Sequence, residues 1–185
     1  MIQRSPLSRL ALGIFLGATL LLPLSLQAAK KTEKSAQSGP RTVIDYFLLV
    51  PDTWVSIPVE ERKALLIASG TINDVKNGFI AFTQNESDSY AFTVFKKPDG
   101  SYLSAFCFKG QALSKTGAMK DTCQIMFLDF DQGTWTDVTS KVLPTSSRTD
   151  LFYELPRIGT TIKVKAPGSS EEFELLWKDG AFKKK

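Results

Sequence analysis

The 185-residue sequence has no histidine and only two cysteines. The first absence removes Ser-His-Asp and Cys-His nucleophilic systems and nearly every familiar zinc site, since each needs imidazole as base or ligand. No G-x-G-x-x-G and no G-x-x-x-x-G-K-[ST] occurs. Neither a dinucleotide fingerprint nor a phosphate-cradling loop is therefore available, and no cofactor is expected. A basic folded surface is also missing. The formal charge is +4, but the excess sits at the ends, on Arg4, Arg9, Lys30, Lys31, Lys34 and Lys183 to Lys185. Without those residues the acids outnumber the bases. A nucleic-acid binder would carry its cations on the folded body, so no nucleic-acid partner is expected.

Long hydrophobic runs are scarce too, and the one that exists is informative. Leu10 to Leu26 is apolar, follows a short basic stretch, is broken by Pro23 and ends in Ala28-Ala29. Those are the three parts of a secretory signal peptide. A spanning helix typically needs about 20 apolar residues, and the proline and the small-residue exit favour cleavage. Residues 1–28 are thus read as a cleaved leader, with no stable membrane insertion after cleavage. The expected location is periplasmic or extracellular. Residues 29–40, polar and ending in Gly39-Pro40, read as a flexible linker. A single domain over 41–182 and a basic tail over 183–185 complete the division.

An exported chain meets an oxidising compartment, and an even cysteine count there points to a disulfide between Cys107 and Cys123. Such a bridge stabilises by about 3 kcal/mol in the chain-entropy model. Two buried free thiols are the alternative; without a histidine to activate it, a catalytic thiol is the poorer reading.

Past the linker, Val43, Ile44, Phe47 and Leu48 recur at helical spacing until Pro51. A second short helix is expected near Val59 to Ala68, with Pro58 and two glutamates suited to its first turn. The rest reads as β. Asn77-Gly78 is a hairpin signal, and further turns fall at Pro98-Asp99-Gly100, Asp131-Gln132-Gly133 and Asp179-Gly180. Between them lie FIAFT, YAFTVF, SYLSAFCF, TCQIMFLDF, TTIKVK and EFELLW. In YAFTVF, Tyr90, Phe92 and Val94 oppose Ala91 and Phe95; SYLSAFCF is likewise apolar on both faces. Such strands need cover on both sides, from the helices on one and a second or curled sheet on the other. The expected fold is α+β, mostly antiparallel, with one or two short N-terminal helices. An all-β barrel or sandwich is the alternative.

Candidate chemistry is sparse. Asp129 and Asp131, two apart at a turn, with Asp137 beyond, match a calcium loop in part. Gly133, Thr134 and Ser140 depart from that pattern, so exposed hairpin acids are the simpler reading and no metal is expected. Of three tryptophans, Trp54 lies between Pro51 and Pro58 in a segment that reads as irregular, and it is the preferred surface contact. The VIDYFLLVP stretch (43–51) resembles the openings of small exported bacterial proteins, and LWKDGAF (176–182) is similar to hairpin endings of periplasmic and lipoprotein β-domains. Neither resemblance implies an activity. The leading expectation is a non-enzymatic module that binds another envelope macromolecule, in the manner of an inhibitor, immunity protein or assembly factor. A small-ligand or glycan-binding β-domain and a His-free carboxylate hydrolase are the alternatives.

Overall fold

Thr42 opens the first helix with a capping box: its hydroxyl accepts the Asp45 N–H, and the Asp45 carboxylate accepts the Thr42 N–H. Two otherwise orphaned donors are satisfied in this way. Helix α1 (Val43–Leu49) buries Val43, Tyr46 and Phe47. Pro51 then starts a one-turn helix, α2 (Asp52–Val55), and Pro58 starts α3 (Val59–Leu65) with Glu60 and Glu61 in its first turn. The segment around Trp54, expected to be irregular, is therefore helical. These elements belong to a computed structural model describing residues 39–113, 117, 119–144, 151–166 and 172–185. The leader expected over 1–28 and most of the linker expected over 29–40 lie outside the described residues.

Among the described residues, ten strands follow in two antiparallel sheets. The larger contains β1 (Ile72–Asp74), β2 (Phe79–Thr83), β3 (Ser89–Lys96), β4 (Tyr102–Leu113), β5 (Met119–Asp131) and β6 (Thr134–Asp137), neighbours in chain order. After a short helix, α4 (Thr139–Val142), the smaller sheet is a meander of β7 (Phe152–Glu154), β8 (Thr161–Lys165), β9 (Glu172–Lys178) and β10 (Ala181–Lys184). The Asn77-Gly78 signal makes its hairpin: Asp74 faces Phe79, and the connection is a 3-10 turn over Val75–Asn77 closed by Gly78 at φ +67°. A side chain at Gly78 would also meet Val94 Cγ2 at 2.9 Å, so both backbone and space require glycine there.

Alternation along each strand divides the core in two. Ile80, Phe82, Phe92, Phe106 and Leu128 pack with Val43, Tyr46, Phe47, Val55 and Ile57 of the helical flank. Phe79, Phe95, Leu103, Ala105 and Phe127 join Ile162, Val164, Leu175, Trp177 and Phe182 of the smaller sheet. The order is helices, six-stranded sheet, four-stranded sheet. This is the two-sided cover that the doubly apolar strands require. The architecture is α+β, mostly antiparallel, and not a closed barrel.

The C-terminal lysines differ from expectation. Lys183 and Lys184 are not a tail but rungs of β10, opposite Leu176 and Leu175, and the Lys185 N–H donates to the Glu174 carbonyl. The lysines pair with β9 through their backbone, and their charges do not prevent it at an edge, where such residues discourage further pairing. Among the described residues no helix is long and apolar enough to cross a membrane.

Candidate functional site

The register places two alanines and a cysteine of the larger sheet in one line. Ile72, Ala81, Ala91, Cys107 and Ile125 are direct cross-strand partners from β1 to β5. In a sheet otherwise filled by phenylalanine, the three central positions leave space. One residue pair along, Thr83, Ser89, Lys109 and Cys123 form a more polar row on the same face. A cleft of about 610 Å³ opens over these rows. Its other wall comes from the smaller sheet and the β7–β8 connection. There Lys163 is opposite both Glu154 and Glu174, and Lys185 bonds Glu174 at 2.8 Å. Arg157 on the connection reaches Asp74 of β1 at 2.8 Å and ties the two sheets beside the cleft.

Cys107 and Cys123 are diagonal neighbours in adjacent rows, which brings their sulfurs to 3.1 Å. Both are buried free thiols. A bridge requires about 2.05 Å, so the expected disulfide is not formed in this structure, although its two halves are adjacent. The thiols instead serve the edge of the smaller sheet. The Tyr153 N–H donates to Cys123 Sγ at 3.4 Å, and the Tyr153 carbonyl lies 3.4 Å from Cys107 Sγ. Tyr153 in β7 is thus held to the larger sheet by sulfur.

The arrangement polarises the pair. Donation from the Cys107 thiol, aided by the Tyr153 N–H, lowers Cys123 to about 7 against the opposing effect of burial. Cys107, which would have to ionise beside that sulfur and without water, is pushed well up. A reduced sample should therefore gain a single thiolate with a midpoint near 7, measured as thiolate absorbance against pH. Cys123→Ser should abolish that step; a step that survives would place the first thiolate elsewhere.

A second recess of about 290 Å³ lies on the other side of the thiols. Cys107 lines the first recess, Cys123 the second, and Tyr153 both. The second wraps the free edge of β5. Strand β6 pairs only with Leu128 to Asp131, and beyond it the Phe127 N–H and carbonyl are taken by Thr139 Oγ1 and the Val138 N–H. By alternation Ile125 and Cys123 direct their backbone groups to that same side. No described strand pairs with them there.

Trp54 stands at this recess with Phe108, Gln124 and Met126. The Trp135 indole N–H donates to the Leu49 carbonyl and that of Trp177 to the Lys96 carbonyl. Among the described residues Trp54 is the tryptophan whose indole donor is left over, and its ring is half-buried. The three aspartates are not brought together. Asp129 accepts from Lys97 Nζ at 2.8 Å, Asp137 accepts the Thr139 N–H, and Asp131 is exposed at the β5–β6 turn. Among the described residues no three His, Cys, Asp or Glu side chains gather as cation ligands.

The cleft's own residues, Lys109, Lys163, Ala81 and Ala91, escaped sequence reasoning. FIAFT and YAFTVF each show an alanine among aromatics, but only the register reveals that the two alanines are partners.

No protein-family model matches the chain, and no curated protein matches it. Among solved structures it is similar to a domain of an uncharacterized protein from Porphyromonas gingivalis W83, with a TM-score of 0.51 and 15% identity over 77% of this chain and 97% of that one. The likeness is one of fold alone.

Proposed function

We propose that the domain is a non-enzymatic module of the cell envelope that takes an extended segment of a partner protein along the free edge of β5, beside Trp54. The observation that carries this reading is the combination of a strand edge that no described strand pairs with and a recess bearing an uncommitted tryptophan. Main-chain bonds to an added strand supply affinity, and flanking pockets supply selectivity. Tryptophans in such pockets are often the residues on which binding depends. Glu174 is a poor candidate for the general acid of a hydrolase. Glu174 is held below the ordinary glutamate range by Lys185, whereas a general acid needs its value raised.

The test is affinity for partners captured from native envelope extract, measured for the wild-type protein and for Trp54→Ala. We expect the substitution to weaken binding about 30-fold or more, as for an interface hot spot. Bound partner should slow hydrogen exchange at the Cys123 and Ile125 amides. Full affinity in the variant, or unchanged exchange at those amides, would remove the β5 edge from the contact.

The same reading places the thiols in an oxidising compartment, where the adjacent sulfurs would pass two protons and two electrons to a disulfide oxidant, whose own S–S bond breaks to two thiols as the Cys107–Cys123 bridge closes. Protein isolated from that compartment without reductant should then lack the thiolate step near pH 7.

A further inference from the structure

We propose that the cleft between the two sheets is a binding site for a small anionic amphiphile, an acyl-chain carboxylate, with its chain over Ala81, Ala91 and Cys107 and its head group at Lys109. This site is separate from the β5 edge and does not rest on the reading above.

The argument begins with what the cleft lacks. A core row of two alanines and a cysteine cannot fill the gap between sheets, while neighbouring rows place Phe79, Phe95 and Phe127 there. The volume of about 610 Å³ is in the usual range for small-ligand sites, roughly 300–1,000 Å³. Its floor is apolar and built from backbone-paired strands, so it is preformed rather than a gap between loops.

The electrostatics then select the head group. Lys109, Arg157, Lys163 and Lys185 line the cleft against two acids, Glu154 and Glu174. Three of these cations have acidic neighbours: Arg157 has Asp74, Lys185 has Glu174, and Lys163 has both glutamates across the strands. Lys109 is half-buried and has no carboxylate partner among the described residues; its cross-strand neighbour is Cys123, whose thiolate form it favours. A partly desolvated ammonium favours a counter-charge, which Cys123 supplies only as a thiolate, and a carboxylate arriving beside Lys109 forms a charge-assisted bond. Lys109 is two residues from Cys107 on the same face of β4, a step of about 7 Å. Head and chain of one amphiphile can therefore reach both.

The experiment is calorimetric titration of the full chain with dodecanoate below its micelle concentration, beside dodecyltrimethylammonium, which has the same chain and the opposite charge. Dodecanoate should bind at one site and the cation at least about tenfold more weakly. Ala91→Leu, which fills the floor, and Lys109→Gln, which removes the counter-charge, should each weaken dodecanoate about tenfold or more. Circular dichroism and melting show whether each variant is folded. Lys109→Gln, at a half-exposed position, keeps the test decisive should Ala91→Leu not fold. Absence of dodecanoate binding, equal binding of the cation, or unchanged affinity in a folded variant would each overturn the proposal. Weaker partner binding by Trp54→Ala with dodecanoate affinity intact would separate this site from the β5 edge.

Discussion

Phe127→Ala should lower the stability of the domain by about 3–5 kcal/mol, the range for truncating a fully buried phenylalanine. Phe127 is wholly buried and faces the smaller sheet, with its ring 5.0 Å from Phe182 and 6.4 Å from Phe95. Its cross-strand partner is Ala105, which has no side chain long enough to move into the space, so the cavity persists. The Phe127 backbone bonds to Thr139 and Val138 are unaffected by the change, which isolates the packing contribution. Urea denaturation should show a lower midpoint with the slope unchanged. For a protein of this length the melting temperature should fall by about 6–20 °C. A loss under about 1 kcal/mol would mean that the two sheets do not depend on this ring for their contact.

Arg62→Ala should be the second large effect, about 2–4 kcal/mol, and its origin is different. Arg62 is 1% exposed, which is rare for a guanidinium. It donates to the Phe47 carbonyl and, at 2.6 Å, to Asp52 Oδ1, and its charge lies 5.8 Å from the centre of the Phe47 ring. The Phe47 carbonyl is in the last turn of α1, where acceptors have no intrahelical donor and a cation is favoured by the dipole. One side chain on α3 therefore satisfies the end of α1 and the start of α2. The ion pair itself is worth less than its distance suggests. Asp52 is 55% exposed, and the Arg62 Nε–H is buried without a partner, so desolvation offsets part of the attraction.

Two further variants separate these contributions. Arg62→Met keeps the apolar stem and removes the buried charge, and should cost about half as much as alanine. Asp52→Asn leaves the guanidinium in place and should cost about 1 kcal/mol, since its partner is largely in water. All three are read by equilibrium denaturation. If Met proves as damaging as Ala, the hydrogen bonds rather than the stem hold the flank together.

Helices α1 and α3 and the turns were legible because their signals are local; the one-turn helices α2 and α4 were not. Pro51 and Pro58 punctuate the flank, Asn77-Gly78 makes its hairpin, and Asp179-Gly180 turns β9 into β10. Alternation in YAFTVF and SYLSAFCF also placed each residue on its observed face. Local pattern failed where tertiary packing sets the structure. The strands TWTD and FYE are too short to show a period, yet they pair because longer strands offer them edges. The lysines of β10 read as a tail because their charge is visible in sequence and their backbone partners in β9 are not.

The candidate site divides in the same way. Sequence by itself determined the reagents: no imidazole, two thiols, a tryptophan between prolines, and strands apolar on both faces that demand three layers. Residue type and alternation decide those matters within a few positions of chain. Tertiary structure alone decided the arrangement. Register set Ala81, Ala91 and Cys107 in one row, brought two sulfurs 16 residues apart to 3.1 Å, and left β5 with an open edge beside Trp54. Pairing register is a property of two strands together, fixed by which side chains must share a buried face, and no single strand contains that information.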